Sequence, residues 1–503
     1  MKQLRLVIAV GWLVGCTLSE SHREPTPGEP VELAVALDAE RVFVRRDEDH
    51  AIVVTIDRKD VTGDVTISAA DLPSGVTADP LVIPSDATSG TLQLRADSTA
   101  TQGVVHVAVT GTIGDNAGAA MLRLLVGGPS GSLDESFGSG GVFIAGDEGQ
   151  GRGLTLTADG GIIATGFVGN SFSGFRTSTI RLTDTGILDV QFGTAGLATS
   201  TELGRGTAIA TLADGSVLVA GTFRNSFGLF KYTSAGVPDE QFGDRGVVES
   251  SCASGCDLTT LVVEPGGAIL VAGRSGFQQL EVLRFFSSGV RDTSYNVSET
   301  GSLPFVGGTF LQADGRLVVC GRIASNFGCT RYLAEGVRDP SFGTGGLVTP
   351  TFAAFDSKSC ARAVIGVADG KLLVIGDQPT AGHVVAARFT SAGGIDPSFG
   401  LGGTLTTTPT FSSQSSNAAL VDPAGDIVSV GLSGSRPAVQ RLTSQGQLDT
   451  TFGTNGVAAI DFGMPTSTGG YGIVTDGDQR IVFTGEAGDV NGIHHMVVAR
   501  LWP

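Results

Sequence analysis

Hydrophobic residues along this chain fall into short runs bounded by Gly, Pro, Asp and Ser. Outside the first fifteen residues no long window carries apolar side chains at helical spacing. This pattern predicts strands and tight turns almost throughout. Between 31 and 127 the runs alternate apolar with polar positions, at 31–37, 52–56, 65–68, 92–94, 104–109 and 121–126, with turns at Leu72-Pro73-Ser74-Gly75 and Pro84-Ser85-Asp86. About seven strands in about a hundred residues is the size of an immunoglobulin-like β-sandwich. His50 and His106 fall in these runs and read as structural. Residues 128–132, rich in Gly, Pro and Ser, read as a linker.

From 133 to 503 three markers recur in fixed order. The first is Asp-x-x-Phe-Gly, at Asp134/Phe137, Asp189/Phe192, Asp239/Phe242, Asp339/Phe342, Asp396/Phe399 and Asp449/Phe452, with a degenerate copy at Asp292/Tyr295/Asn296. The second is an Asp-Gly turn followed by an apolar run ending in Gly, as at 214–221. It recurs from Asp159, Asp314, Asp369 and Asp476, with Pro265-Gly266-Gly267 and Pro423-Ala424-Gly425 standing in twice. The third is a basic residue inside a further apolar run: Arg181, Lys231, Arg284, Arg331, Arg388, Arg441 and Arg500.

Each marker occurs seven times, and one repeat of about fifty-three residues holds four strands. In the copy at 196–246 they are 207–212, 217–221, a strand holding Lys231, and one starting at Gly246. Four antiparallel strands per repeat predict an all-β chain ending in a seven-bladed β-propeller, an open solenoid being the alternative. The last repeat lacks a fourth strand and the segment after Phe137 supplies one, so the two ends should share a blade. These markers resemble the delta-60 repeat family of bacterial exported proteins over 133–502, and their order is similar to that of NHL-type propellers. The segment before them resembles bacterial Ig-like spacer modules. The resemblance implies the fold and export; it brings no catalytic residue and no substrate.

The basic residue precedes the repeated Asp by eight positions in every internal copy, which predicts an ion pair across the turn between third and fourth strands, with Arg500 reaching Asp134 across the closure. The Phe residues should wedge between blades. Connections between first and second and between third and fourth strands keep nearly constant length, whereas the other two vary, and they lie on opposite faces. Binding residues usually sit on variable loops. Asn170, Arg224, Asn225, Asn326, Asp489, Asn491 and His494 are therefore the candidate binding residues, with Arg274, His383, Arg436 and His495 nearby.

A net charge of -18 argues against nucleic acid, which needs a basic patch. Lys2 and Arg5 precede the apolar run 6–14, as in a secretory signal. Leu13-Val14-Gly15-Cys16 resembles a bacterial lipobox, which implies cleavage after 15, lipidation at Cys16, a tether over 16–30 carrying Pro25, Pro27 and Pro30, and an outer-membrane address. Cys252 and Cys256 can close a small loop and Cys320 and Cys329 can meet across a hairpin, leaving Cys360 over. Cys-x-x-Cys and His-x-x-x-His pairs are absent, as are esterase, phosphate-loop, dinucleotide and zinc-protease motifs, so neither metal nor cofactor is expected. The leading reading is a surface-anchored, non-enzymatic protein presenting a propeller to a protein or glycan. A propeller hydrolase or lyase and a purely structural envelope protein are the alternatives.

Overall fold

The structure is a computed structural model that describes residues 33–503 except 60, 171–173, 225, 253–254, 277–278, 301–304, 324–325, 353–358, 379–382, 408–415 and 434–435. Cys16, the signal and the tether lie outside the described residues, as does Asn225. The chain divides into two compact units, 1–125 and 126–503.

The first unit is built of two antiparallel sheets. One orders Leu33–Leu37, Asp49–Arg58, Ser89–Ala96 and Val76–Ala78; the other orders Arg41–Arg45, Asn116–Gly127, Gly103–Ile113, Val65–Ala70 and Leu81–Ile83. Alternation decides which face is buried: along Asp49–Arg58, Ile52, Val54 and Ile56 are covered while the residues between them meet solvent.

The second unit is a β-propeller of four-stranded antiparallel sheets. Cys256–Val263, Ile269–Ser275, Gln279–Phe285 and Arg291–Thr300 form one; Phe305–Leu311, Leu317–Ile323, Asn326–Tyr332 and Leu347–Val348 the next. Cys360–Gly366, Leu372–Gln378, His383–Phe389 and Thr404–Thr406 follow, then Ser416–Val421, Ile427–Ser433, Arg436–Leu442 and Val457–Ala459. The remaining ten strands form one continuous ladder, because two long strands each serve two sheets. Leu197–Thr211 pairs in its first half with Gly174–Leu182 and in its second half with Val217–Phe223. Val142–Leu156 likewise pairs first with His494–Leu501 and then with Ile162–Asn170. The first strand of each sheet packs on the first strand of the next, and the series returns from Thr466–Thr475 to Val142–Leu156, so these strands line the inside of a ring.

A glycine closes the apolar run within these second strands because the first strand runs too close for a side chain. A Cβ on Gly166, Gly221, Gly321 or Gly376 would stand 1.8–1.9 Å from the carbonyl oxygen of Gln150, Arg205, Phe305 or Cys360. Apolar cores fill the space between neighbouring sheets, as where Leu218, Phe227 and Phe242 meet Leu258, Ile269 and Phe285. The repeated Phe is part of that filling. Phe399 packs with Leu373 and Ile375 of its own sheet and with Ile427, Ala438 and Leu442 of the next.

Closure extends beyond the strands. Residues 130–132, read from the sequence as linker, are hydrogen-bonded within this unit. The Trp502 N–H donates to the Ser132 carbonyl and the Gly131 N–H to the Trp502 carbonyl, both at 2.9 Å. Within an unbroken turn, Thr233 and Val237, and Gly236 and Thr233, are joined in the same way at 2.8 Å, and Gly131 and Gly236 share a φ near +79° and +76°. The two chain ends thus rebuild one turn that the chain elsewhere makes in a single piece. Pro423-Ala424-Gly425 keeps the turn it replaces, with Gly425 donating to the Asp422 carbonyl at 2.9 Å. At the degenerate copy the strand Arg291–Thr300 starts before the turn would, and buried Tyr295 packs under Gly336 as Phe192 does under Gly236 and Phe399 under Gly446.

Candidate functional site

The repeated residues form one connected network. Oδ2 of each repeated Asp accepts from the basic side chain eight positions earlier, at 2.7–3.3 Å, in the pairs Arg181–Asp189, Lys231–Asp239, Arg284–Asp292, Arg331–Asp339, Arg388–Asp396 and Arg441–Asp449. Across the closure Arg500 Nε donates to Asp134 Oδ2 at 2.8 Å. Oδ1 caps the turn by accepting the N–H two residues on, and the hydroxyl as well where that residue is Ser or Thr. The guanidinium then lies over the ring of the same copy, 4.6 Å from Phe137 for Arg500, 4.5 Å from Phe342 for Arg331 and 5.0 Å from Phe399 for Arg388. The following Gly donates to a turn of the next sheet, Gly193 to the Ala235 carbonyl at 2.7 Å and Gly453 to that of Ser130 at 2.9 Å.

These contacts hold the carboxylates ionised. Lys231 keeps Asp239 below the usual carboxylate range, and the hydroxyls of Ser294 and Ser398 do the same for Asp292 and Asp396. In Asp339 and Asp449 burial pulls upward and is outweighed by Ser341, Thr451 and the paired arginines. The rings are equally committed. Phe137, Phe192, Phe242, Phe342, Phe399 and Phe452 are each at most 1% exposed, so none of these rings offers a surface to a ligand. The Asp, the basic residue and the Phe of this face hold a turn or a neighbour, which is a structural duty.

The opposite end of the sheets, where second and third strands join, carries the sequence-derived candidates. Asn170 ends one strand and Asn326 opens another. Arg224 sits in a turn at φ +54° and pairs with Glu202 at 2.8 Å. Asp489 closes its own hairpin: its carboxylate accepts the N–H groups of Ile493 and Asn491 at 2.9 and 2.8 Å, and the Asn491 amide at 3.3 Å. Those bonds, that of Ile493 foremost, hold Asp489 below the usual carboxylate range. His494 Nδ1 stands 3.8 Å from Glu486 Oε2, while His495, on the other side of the strand, faces the Ala145 carbonyl at 3.1 Å. These residues share a face without converging on a point.

What does converge comes from the inner strands. Each first strand carries a β-bulge at the same height, between Gly151 and Gly153, Gly206 and Ala208, Leu258 and Thr260, Val306 and Gly308, Ala361 and Ala363, Ser416 and Ala418, and Gly470 and Gly472. A bulge turns its extra residue out of the pleat. Two such residues are Arg152 and Tyr471, and the Arg152 guanidinium lies 3.9 Å from the Tyr471 centroid and 5.8 Å from that of Phe167. Arg205 lies 5.1 Å from the same Phe167 centroid and 3.9 Å from that of Phe175. Phe167 and Phe175 meet edge to face at 5.1 Å. Tyr471, Arg152, Phe167, Arg205 and Phe175 therefore form a ladder of alternating rings and cations across neighbouring sheets.

Buried Glu486 steadies one end by accepting the Tyr471 hydroxyl at 3.0 Å. Among the described residues neither Arg152 nor Arg205 has a carboxylate within ion-pair distance, whereas at the equivalent bulge Arg362 binds buried Asp377 at 2.9 Å. The sequence carries a trace of this ladder, the doublet Gly-Arg-Gly at 151–153 and 204–206, which loop-length reasoning passes over.

No group of His, Cys, Asp and Glu fit to hold a metal ion occurs among the described residues. Cys252 is bonded to Cys256, and Cys320 to Cys329 directly opposite it, and Cys360 is buried. Two cavities stand out. One of about 230 Å³ is an apolar cleft between sheets, lined by Phe143, Val168, Ile180, Leu188 and Met496. The other, of about 380 Å³, lies at the constant turns beside Leu401 and Gln447. Neither brings two titratable side chains together.

Residues 212–242 and 424–452 match the family described as a domain of unknown function (DUF5122) beta-propeller. Both stretches end on the Phe of an Asp-x-x-Phe-Gly marker. Among solved structures the chain is similar to a mutant of the Aleuria aurantia lectin in complex with alpha-methyl-L-fucoside, at 13% identity and TM-score 0.38, covering 63% of this chain and 96% of that one. It is also similar to the beta-propeller domain of Vanderwaltozyma polyspora Nup133, at 9% identity and TM-score 0.40, covering 72% and 100%. Apo prolyl oligopeptidase B from Galerina marginata is similar at 9% identity and TM-score 0.37, covering 76% of this chain and 54% of the oligopeptidase. A search of curated proteins finds no match.

Proposed function

We propose that this protein is an exported, lipid-anchored binding protein. In this reading a seven-bladed propeller of delta-60 type is carried beyond an Ig-like sandwich on a tether acylated at Cys16, in the outer membrane, and its hairpin face meets an envelope protein or glycan without catalysing a reaction. The observation that carries the reading is the contrast between the two faces. The Asp-Arg-Phe face is saturated with its own contacts, whereas the hairpin face holds guanidinium groups that no carboxylate neutralises. Rigid scaffolds of this kind place recognition on loops and on strand ends near them.

Two experiments test the reading. Cys16→Ala should move the protein from the membrane to the soluble fraction. Capture from envelope extracts should fall when Arg205 or Asn326 is changed to Ala and persist when Asp189 is changed to Asn. Capture unaffected by either hairpin-face change would count against a binding role for that face.

A further inference from the structure

We propose that the ladder of Tyr471, Arg152, Phe167, Arg205 and Phe175 is a binding site for an acidic saccharide, its two guanidinium groups taking carboxylates of uronate units. The proposal rests on the reading of the hairpin face as a binding face and names the ligand class. The chain holds 50 acidic and 32 basic residues, and many of its arginines pair with an acid. Arg181, Arg224, Arg284, Arg316, Arg331, Arg362, Arg388, Arg436, Arg441, Arg480 and Arg500 all pair with Asp or Glu. Among the described residues Arg152 and Arg205 have no such partner, as is true of Arg58, Arg176 and Arg322, but these two lie within 6 Å of one Phe167 ring, at 5.8 and 5.1 Å.

Two like charges held near a single ring repel each other and attract a counter-ion. Stacking uses the flat faces of a guanidinium and leaves in-plane N–H donors for the two oxygens of a carboxylate, Arg152 spending one of them, at Nη2, on Gln150. Both side chains are held before any ligand arrives, Arg152 by Tyr471 and the Gln150 amide oxygen and Arg205 by Phe175, so little side-chain entropy remains to be lost on binding. The half-buried rings of Phe175 and Tyr471 offer apolar edges beside each cation, which suit the C–H faces of a sugar. The two cations stand on neighbouring sheets, each within 6 Å of one ring, so a polymer that carries more than one carboxylate can meet both. An acidic polypeptide fits less well, because it would bring the same repulsion from a chain of net charge -18 without sugar faces for the rings.

The test is calorimetric titration of the full-length protein with oligogalacturonate, with a neutral galactan oligomer of the same length and with polyglutamate as comparisons. Oligogalacturonate should bind at low salt and weaken as salt is raised, with the neutral oligomer and polyglutamate each at least about tenfold weaker. Arg205→Ala and Arg152→Gln should each lower the affinity about tenfold or more, and Arg245→Ala, an exposed cation beside Asp244 at a constant turn of the other face, should leave it unchanged. Arg205 is exposed, so its variant should melt with the parent and reports on binding alone. No binding of oligogalacturonate, equal binding of the neutral oligomer or polyglutamate, or unchanged affinity in both arginine variants would each overturn the proposal. If envelope capture then still depended on Asn326, the binding face would stand and only its assignment to acidic saccharides would fall.

Discussion

Replacing Asp134 by Asn should weaken the second unit far more than the same change at Asp189, although the two residues occupy the same place in the repeat. Asp134 is fully buried, and its Oδ2 faces Arg500 Nε at 2.8 Å and Arg480 Nη1 at 3.2 Å, both arginines themselves buried. Burial, and then the neighbouring Arg480, already lower the hold of Arg500 on its proton; without the Asp134 carboxylate Arg480 keeps Asp476 at 2.8 Å and Asp478 at 3.1 Å, whereas Arg500 keeps only the longer approach to Asp476, at 3.7 Å, among the ion pairs of the described residues. An amide there would turn N–H donors toward two cations that have no water to retreat to. Removing one partner from a buried pair costs about 3–5 kcal/mol. Asp189 and Arg181 pair at 3.3 Å with side chains 23% and 21% exposed, and screening by water limits that change to about 1 kcal/mol. Trp502 is fully buried at the rebuilt turn and is, with Trp12, one of two tryptophans, so in a chain lacking residues 1–15 its emission reports on the seam alone. Urea unfolding followed by Trp502 emission and by circular dichroism should show the Asp134 variant losing its tryptophan signal before its strands. Equal losses of stability in the two variants, or coincident shifts of the two signals, would refute the account of the seam.

Gly221→Ala should abolish stable folding of the propeller or cost several kcal/mol, because its Cβ would lie 1.9 Å from the Arg205 carbonyl; chemical denaturation against Gly215→Ala, a turn position, separates close approach from backbone strain. Ala195 lies at φ +52° where Gly140, Gly345 and Gly402 stand in other copies, so Ala195→Gly should stabilise by up to about 1 kcal/mol, read as a raised denaturant midpoint. Asp239, Asp292, Asp339, Asp396 and Asp449 all titrate below their ordinary value when folded. The unfolded chain therefore binds more protons below about pH 4. The stability these groups contribute is complete above that pH and lost as pH falls through their folded values, which urea midpoints between about pH 2.5 and 6 should trace.

The repeat was legible because its markers answer to the same constraint in each copy. A carboxylate that caps a turn and pairs eight residues back, a Phe beneath the cation and a Gly with no room for Cβ leave little freedom, so Asp449, Phe452 and Arg441 announce themselves as clearly as Asp239, Phe242 and Lys231. The ladder was hidden for the opposite reason. Arg152 sits on a bulge whereas Arg205 occupies the position of Gln150, two residues before it, so the two cations do not fall on one position of the repeat. Only the ring brings them to the same Phe167. Asp489 and Asn491 drew notice as polar residues of a long connection, yet the structure spends them on closing that connection, since an Asx turn and a ligand site read alike in one dimension.

Side-by-side titration of Arg205→Ala and Asp189→Asn with oligogalacturonate, each variant also melted, tests the division of labour between the two faces most directly. The account predicts that Arg205→Ala loses affinity and keeps its melting temperature, whereas Asp189→Asn keeps its affinity and melts lower. An Asp189 variant that loses affinity at full stability, or an Arg205 variant that binds as the parent does, would contradict it.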